Sequence, residues 1–426
     1  MLETIKNAWK VADLRKKILF TFFIILIFRV GAVIPVPFVD TAKLQAAGAT
    51  NEFFSYLSIL TGGGLEYGAI FAMSVTPYIN SSIIIQLLSV AIPALERLSK
   101  EGEEGRKKIT QITRYTTVIL GLIQGTAYFF YLKNSGYLVS SAASGGWTVF
   151  AAFVIILCLT AGSALVMWLG EQIDTKGIGN GISMLLFAGI ISRAPAAATT
   201  LWAMFTGKMY IGAASIIIGF LIIIGFIVWM TNAERRIPVQ YAKRVVGNKM
   251  YGGQNTHIPI KVNMAGVMPI IFASSILMLP TMALSFMKNT TSSLYKVLSL
   301  FSVRGVFYAI IYFVLIIGFA YFYATIQFNP IEMASNLRKN GGSIPGIRPG
   351  KPTSDFITKI LSRITLLGAI FLSIIAILPI AMQGLIKGVN ISIGGTSVLI
   401  LVGVALDTVQ NLESQMMMRH YKGFLD

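Results

Sequence analysis

Apolar runs separated by charged or Gly/Pro-rich breaks set the pattern of this chain. Residues 18–33 and 216–230, for example, extend fifteen residues or more with almost no charge. A bilayer core about 30 Å thick is crossed by roughly 20 apolar helical residues, so each such run reads as a membrane span. Ten runs qualify, centred near residues 26, 81, 123, 160, 186, 220, 275, 316, 373 and 402. The second is the least regular, because Gly62, Gly63, Gly64 and Pro77 interrupt it, and the fifth is short.

Composition agrees with that pattern. Of 426 residues, 55% are hydrophobic and only 12% charged, with a mean hydropathy of +0.73. Soluble domains are nearer a quarter charged, so the polar surface is too small to solvate a globule. The one cysteine, Cys158, and two histidines, His257 and His420, leave no disulfide framework and no metal cluster. The first apolar stretch runs into Pro35 and Pro37 without a small-residue cleavage site, so it reads as a retained span.

Charge fixes an expected orientation. With the N-terminus inside, the inner segments hold 26 Lys and Arg and the outer ones eight. That asymmetry follows the positive-inside rule and predicts both termini in the cytoplasm. Ten spans then divide near residues 193–210 into two sets of five. Five is odd, so equivalent halves run in opposite directions, as in inverted repeats. The second span reads PYINSSI from Pro77 and the seventh PIIFASSI from Pro269. Prolines interrupting both helices at matching places point to the functional axis.

Covalent chemistry is missing from the membrane interior. Arg29 falls toward the outer end of its span and Asp407 toward the inner end of the last, and each can snorkel to an interface. No GxxxxGK[ST] loop occurs, and no nucleophile–base set or carboxylate pair stands out. No cofactor is expected, and the function must be mechanical. A small-solute secondary transporter is the alternative reading; it needs a polar or charged midplane pocket, where this chain is mostly aliphatic. A purely structural scaffold leaves the glycines near 62 unexplained.

Two inner loops look built. In 231–263, strand formers with Lys243, Arg244 and Lys249 flank Gly247-Asn248, a hairpin pattern, and 258–262 alternates like a strand. In 329–363, Asn329 caps a helix starting with Pro330 that stops near Gly341. PGIRPG at 345–350 forms a turn that presents Arg348, and Ser354 caps the next helix. Such basic surfaces suit anionic partners: ribosomal RNA, acidic proteins or lipid headgroups. Residues 1–17 place Leu2, Ile5 and Trp9 among lysines, as an amphipathic segment along the inner interface.

Six segments carry a family resemblance: TPYINSSIIIQLL at 76–88, WLGEQ at 168–172, GIGNGIS at 177–183, THIPIKVNMAG at 256–266, PGIRPG at 345–350 and GGTS at 394–397. In order and over essentially the whole chain, they resemble the SecY family of the bacterial Sec translocon. The resemblance implies an all-α membrane protein of two inverted five-helix halves, 18–200 and 201–426, closing like a clamshell on an hourglass pore. It implies a channel, not an enzyme, in the bacterial plasma membrane, passing unfolded proteins and releasing spans through a lateral gate. By motif position the apolar pore ring falls on Val75, Ile79, Ile182, Leu186, Ile271 and Ile400. The plug is a short helix at about 62–72, including Gly63, Gly64, Leu65, Glu66, Tyr67, Gly68, Ala69 and Ile70. Gln86 and Asn263 line the gate, where they could hydrogen-bond. Arg236, Lys243, Arg244, Lys249 and Arg348 dock the motor ATPase SecA or the ribosome. Further implied partners are the small subunits SecE and SecG, signal sequences and preproteins, and the surrounding lipid.

Overall fold

The computed structural model describes residues 6, 8–50, 61–139, 147–207, 210–241, 244–246, 249–251, 255–264, 266–286, 298, 305–385 and 395–422. Among the described residues these helices lead to the first strands: α1 (Ala12–Gly31), α2 (Thr41–Thr50), α3 (Thr76–Ala91), α4 (Pro93–Lys100), α5 (Glu103–Asn134), α6 (Trp147–Lys176), α7 (Gly181–Ile191), α8 (Ala194–Thr206) and α9 (Tyr210–Thr231). Strands β1 (Glu234–Tyr241), β2 (Arg244–Val246), β3 (Lys249–Tyr251) and β4 (Asn255–Lys261) follow. Then come α10 (Met268–Phe286), α11 (Val306–Gln327), α12 (Pro330–Lys339), β5 (Gly342–Ser343), α13 (Lys351–Leu385) and α14 (Gly395–Lys422).

All ten expected centres lie in helices. Among the described residues seven helical stretches are long and apolar enough to cross a membrane, or eight if α3 and α4 form one span bent by 103°. A ten-span count is compatible with this: α1, with Asp13, Arg15, Lys16 and Lys17 in its first turns, and the uncharged 19-residue α10 are the two further expected spans. The fifth span is longer than expected, because α7 and α8 together give an apolar stretch, Gly181–Thr206.

The prolines do different work from that expected. Pro77 occupies the first turn of α3, and Pro269 follows the first residue of α10. A first-turn proline lacks only an N–H that has no helical partner anyway, so both start helices instead of interrupting them. The break comes at Pro93, where α3 ends and α4 turns away.

The chain forms two compact units, residues 1–214 with 400–426 and residues 215–399. In the first, α5 buries Thr113, Thr117, Gly121 and Gly125 at every fourth position, one helical face. A Cβ on Gly121 would lie 3.1 Å from Ser163 Oγ of α6, so small residues set this close helix contact. The Thr113 and Thr117 hydroxyls donate to carbonyls one turn back, which satisfies them without water. Asn180 caps α7 by accepting from Ser183 N at 3.1 Å, and Asp174 Oδ1 accepts from Gly181 N at 2.7 Å. The far end of α14 packs Leu412 with Ala8, Leu14 and Ile178, and Lys17 Nζ donates to Gln415 Oε1 at 3.1 Å.

In the second unit α10, α11 and α13 pack together, with Phe272 edge-on to Phe319. The two polar loops share one three-stranded antiparallel sheet, ordered β4-β1-β5. Its register pairs Ile237 with Ile258 and Gln240 with Ser343. Ile237, Val239, Ile260, Leu337, Ile344, Ile357, Leu361 and Ile364 make a single core beneath it. Alternation along β1 buries Ile237 and Val239 and leaves Arg236, Pro238 and Gln240 exposed.

Candidate functional site

Residues 61–75 sit inside the first unit, between α2 and α3. The expected short plug helix is instead a succession of turns. Gly62, Gly63 and Gly68 have φ of 63°, 93° and 56°. Left-handed residues cannot continue a right-handed helix, so the glycines that mark the segment also keep it from being helical. Most of it is nonetheless buried: Leu65, Ala69, Phe71, Ala72, Met73 and Val75 lie at 8% exposure or less.

Neighbouring elements hold this segment through specific bonds. Val36 N donates to Gly68 O at 2.8 Å, and Ile70 N to Ile34 O at 3.0 Å, a short antiparallel bridge around Pro35 and Ala69. Tyr128 Oη of α5 donates to Leu65 O at 3.3 Å. Arg29 Nη1 donates to Gly62 O at 3.0 Å, and Arg193 Nη2 pairs with Glu66 Oε1 at 2.8 Å. Phe71 stacks on Phe28 at 6.1 Å between centroids. A Cβ on Gly162 of α6 would collide with the Ile70 carbonyl, so only glycine lets α6 approach so closely.

Aliphatic positions expected at the ring extend from this segment. Val75, almost fully buried, is the residue before α3, and Ile79 lies one turn into it, partly buried. Ile182 and Leu186 lie one turn apart on α7, with Leu186 buried; a Cβ on Gly170 of α6 would come within 2.6 Å of Ile182 Cδ1. Ile400 is buried on α14. In the second unit Ile271 is partly buried in the first turns of α10. Gln86 Oε1 of α3 and Asn263 Oδ1 ahead of α10 are buried and have no hydrogen-bond partner among the described residues. A buried acceptor left unsatisfied costs about 1–3 kcal/mol. A cavity of about 320 Å³ near the start of α7 is lined by Asn180, Ser183, Val404, Asp407, Thr408 and Gln410, among others.

The basic residues expected to dock a partner fall on the three-stranded sheet, the separate β2–β3 pair and the turn after β5. Arg236 is exposed on β1, its Nε 2.6 Å from Glu234 Oε1. Arg244 and Lys249 belong to β2 and β3, whose pairing of Val246 with Lys249 makes the expected hairpin; Lys243 lies outside the described residues. Arg348 is exposed in the PGIRPG turn, and its carbonyl accepts from Thr353 Oγ1 at 2.8 Å. Asn329 Oδ1 accepts from Ile331 N and Glu332 N, the cap expected there. Ser354 is not a cap: α13 already begins at Lys351, and Ser354 N donates to Gly350 O within its first turn.

Sequence reasoning missed two features, the Arg193–Glu66 pair and the sheet joining both loops. Each joins residues far apart in the chain, and no local pattern marks such a pairing.

A family model described as SecY matches residues 69–409. The chain belongs to the SecY family. The protein translocase subunit SecY of Streptomyces coelicolor is 44% identical over 440 residues, covering all of both chains. That of Thermotoga maritima is 42% identical, covering all of this chain and 98% of the relative. A structure of a protein conducting channel matches with a TM-score of 0.63 at 16% identity, covering 94% of this chain and 92% of that one. A structure concerned with the plug domain of SecY and the membrane seal matches at 0.66 and 17%, with the same coverage. Sec61 in a canine ribosome-channel complex matches at 0.59 and 15%, again with that coverage. This SecY-family chain is therefore a helical, multi-span membrane protein and a protein translocase subunit, a channel component without enzymatic chemistry. Family membership displaces the solute-transporter alternative.

Proposed function

We propose that this SecY-family subunit is the channel of a bacterial plasma-membrane translocon, with both termini cytoplasmic, and that residues 61–75 are its plug. One observation carries the reading: a glycine-turned, buried segment runs directly into Val75 and Ile79, at the start of α3. A stopper and a seal are then parts of one continuous piece of chain. The excess of Lys and Arg on one side, 26 against eight, supports the orientation.

The seal works by what it lacks. A constriction of branched aliphatic groups such as Val75, Ile79, Ile182, Leu186, Ile271 and Ile400 dewets when empty and stops ions without a charged gate. It offers a passing chain no charge or hydrogen-bond pattern to match, so it discriminates little among sequences. Gln86 and Asn263 belong to the lateral gate, and their orphaned buried oxygens suit groups that change partners as it opens. A signal with about ten apolar residues gains roughly 3–6 kcal/mol on entering lipid, enough to shift a two-state gate.

Arg236, Arg244, Lys243, Lys249 and Arg348 receive the SecA motor or the ribosome. The canine neighbour's ribosome-channel complex supports a ribosomal partner, and the exposed Arg236 and Arg348 suit anionic surfaces. SecE and SecG complete the channel in this reading.

The test is reconstitution in lipid vesicles with SecE, SecG and SecA, ATP and an unfolded preprotein. Protease-protected preprotein should accumulate inside. Preprotein that remains fully digestible, with the subunits assembled, overturns the proposal.

A further inference from the structure

Two arginines from separate helices converge on the segment at 61–75 (Arg29 at the end of α1, and Arg193 where α7 meets α8). Arg29 holds the Gly62 carbonyl, and the Ser192 hydroxyl reaches the same oxygen at 3.3 Å. Arg193 holds Glu66, with side chains 26% and 22% exposed. A partly buried charge pair of this kind is screened less than a fully exposed one. A Cβ on Gly62 would stand 2.7 Å from Arg29 Nη1, so the glycine also makes room for the guanidinium.

These contacts differ from ordinary bonds between packed helices. The segment has no helical hydrogen-bond ladder of its own, so its position depends on what its neighbours supply. Glu66 is its one acidic side chain. Moving the segment outward would leave Arg193 and Arg29 as two cations without that carboxylate.

We infer that the Glu66–Arg193 pair is the latch of the resting plug, a positioning pair that sets how strong a signal must be to open the channel. The inference rests on the plug reading above. A weaker latch narrows the gap between closed and open states, so less signal binding energy suffices to cross it.

The test is a double-mutant cycle on the full channel complex in planar bilayers. Glu66→Gln and Arg193→Gln should each raise resting ion conductance, by about five- to thirtyfold in open fraction. The double variant should leak no more than the leakier single, because one interaction is lost only once. Each variant should also export a preprotein whose signal has lost apolar residues, which a merely structural defect would not allow. A variant that does not accumulate in membranes is replaced by Glu66→Asp or Arg193→Lys, with a smaller rise in the same direction. Fully multiplicative leaks in the double variant, or tight single variants beside a leaking deletion of 62–72, overturn the latch. A deletion of 62–72 that stays tight overturns the plug reading itself.

Discussion

Arginine is used in opposite ways in the two units. In the first, Arg29 and Arg193 turn onto a buried, turn-built segment and bind its carbonyl and carboxylate. In the second, Arg236 and Arg348 stand exposed on a sheet and turn that an apolar core already holds. The contrast teaches where each region gets its order. The segment at 61–75 shares an apolar core with Phe129, Leu132 and Ile155 and is tied further by arginine bonds, whereas the sheet rests on Ile237, Val239, Ile357 and Leu361 and keeps Arg236 and Arg348 at its surface.

The sharpest way to break that contrast is to hollow the sheet's core. Ile357→Ala should destabilise the two loops by about 2–5 kcal/mol, read as faster proteolysis of residues 231–263 and 329–363, with resting conductance unchanged. Overfilling the other region should do the reverse. Gly162→Leu pushes against the Ile70 carbonyl, at about 1–3 kcal/mol, and should leak ions while the loops stay resistant to protease. Arg348→Glu should cut export about tenfold, roughly 1.4 kcal/mol of docking, with normal amounts of protein in membranes. Smallest is Asn329→Ala, which removes the cap of α12 and about 1 kcal/mol of helix stability, measurable as hydrogen exchange at Ile331 and Glu332.

Much of this was legible from spacing alone. Apolar runs marked ten span centres, all of which lie in helices, because a span is a local, continuous signal; the shorter α2 and α4 carry no such run. Asn329 followed by Pro330 declared a helix start, and Gly-Asn between strand formers declared a hairpin, since caps and turns are written in neighbouring residues. Proline was misread at 77 and 269 because the same residue begins a helix or breaks one, depending on which turn it occupies. The glycines at 62, 63 and 68 were visible but their φ values were not, so the segment was expected to be helical. Pairings such as Gln240 with Ser343 or Arg193 with Glu66 depend on how distant segments meet, which leaves no trace in either segment's pattern.

Every bond named here between the segment at 61–75 and its surroundings reaches a residue numbered 193 or lower. Among the described residues, these partners are therefore all translated before residues 215–399. The segment can dock on α1, α5 and the end of α7 as soon as these fold, ahead of the rest of the chain.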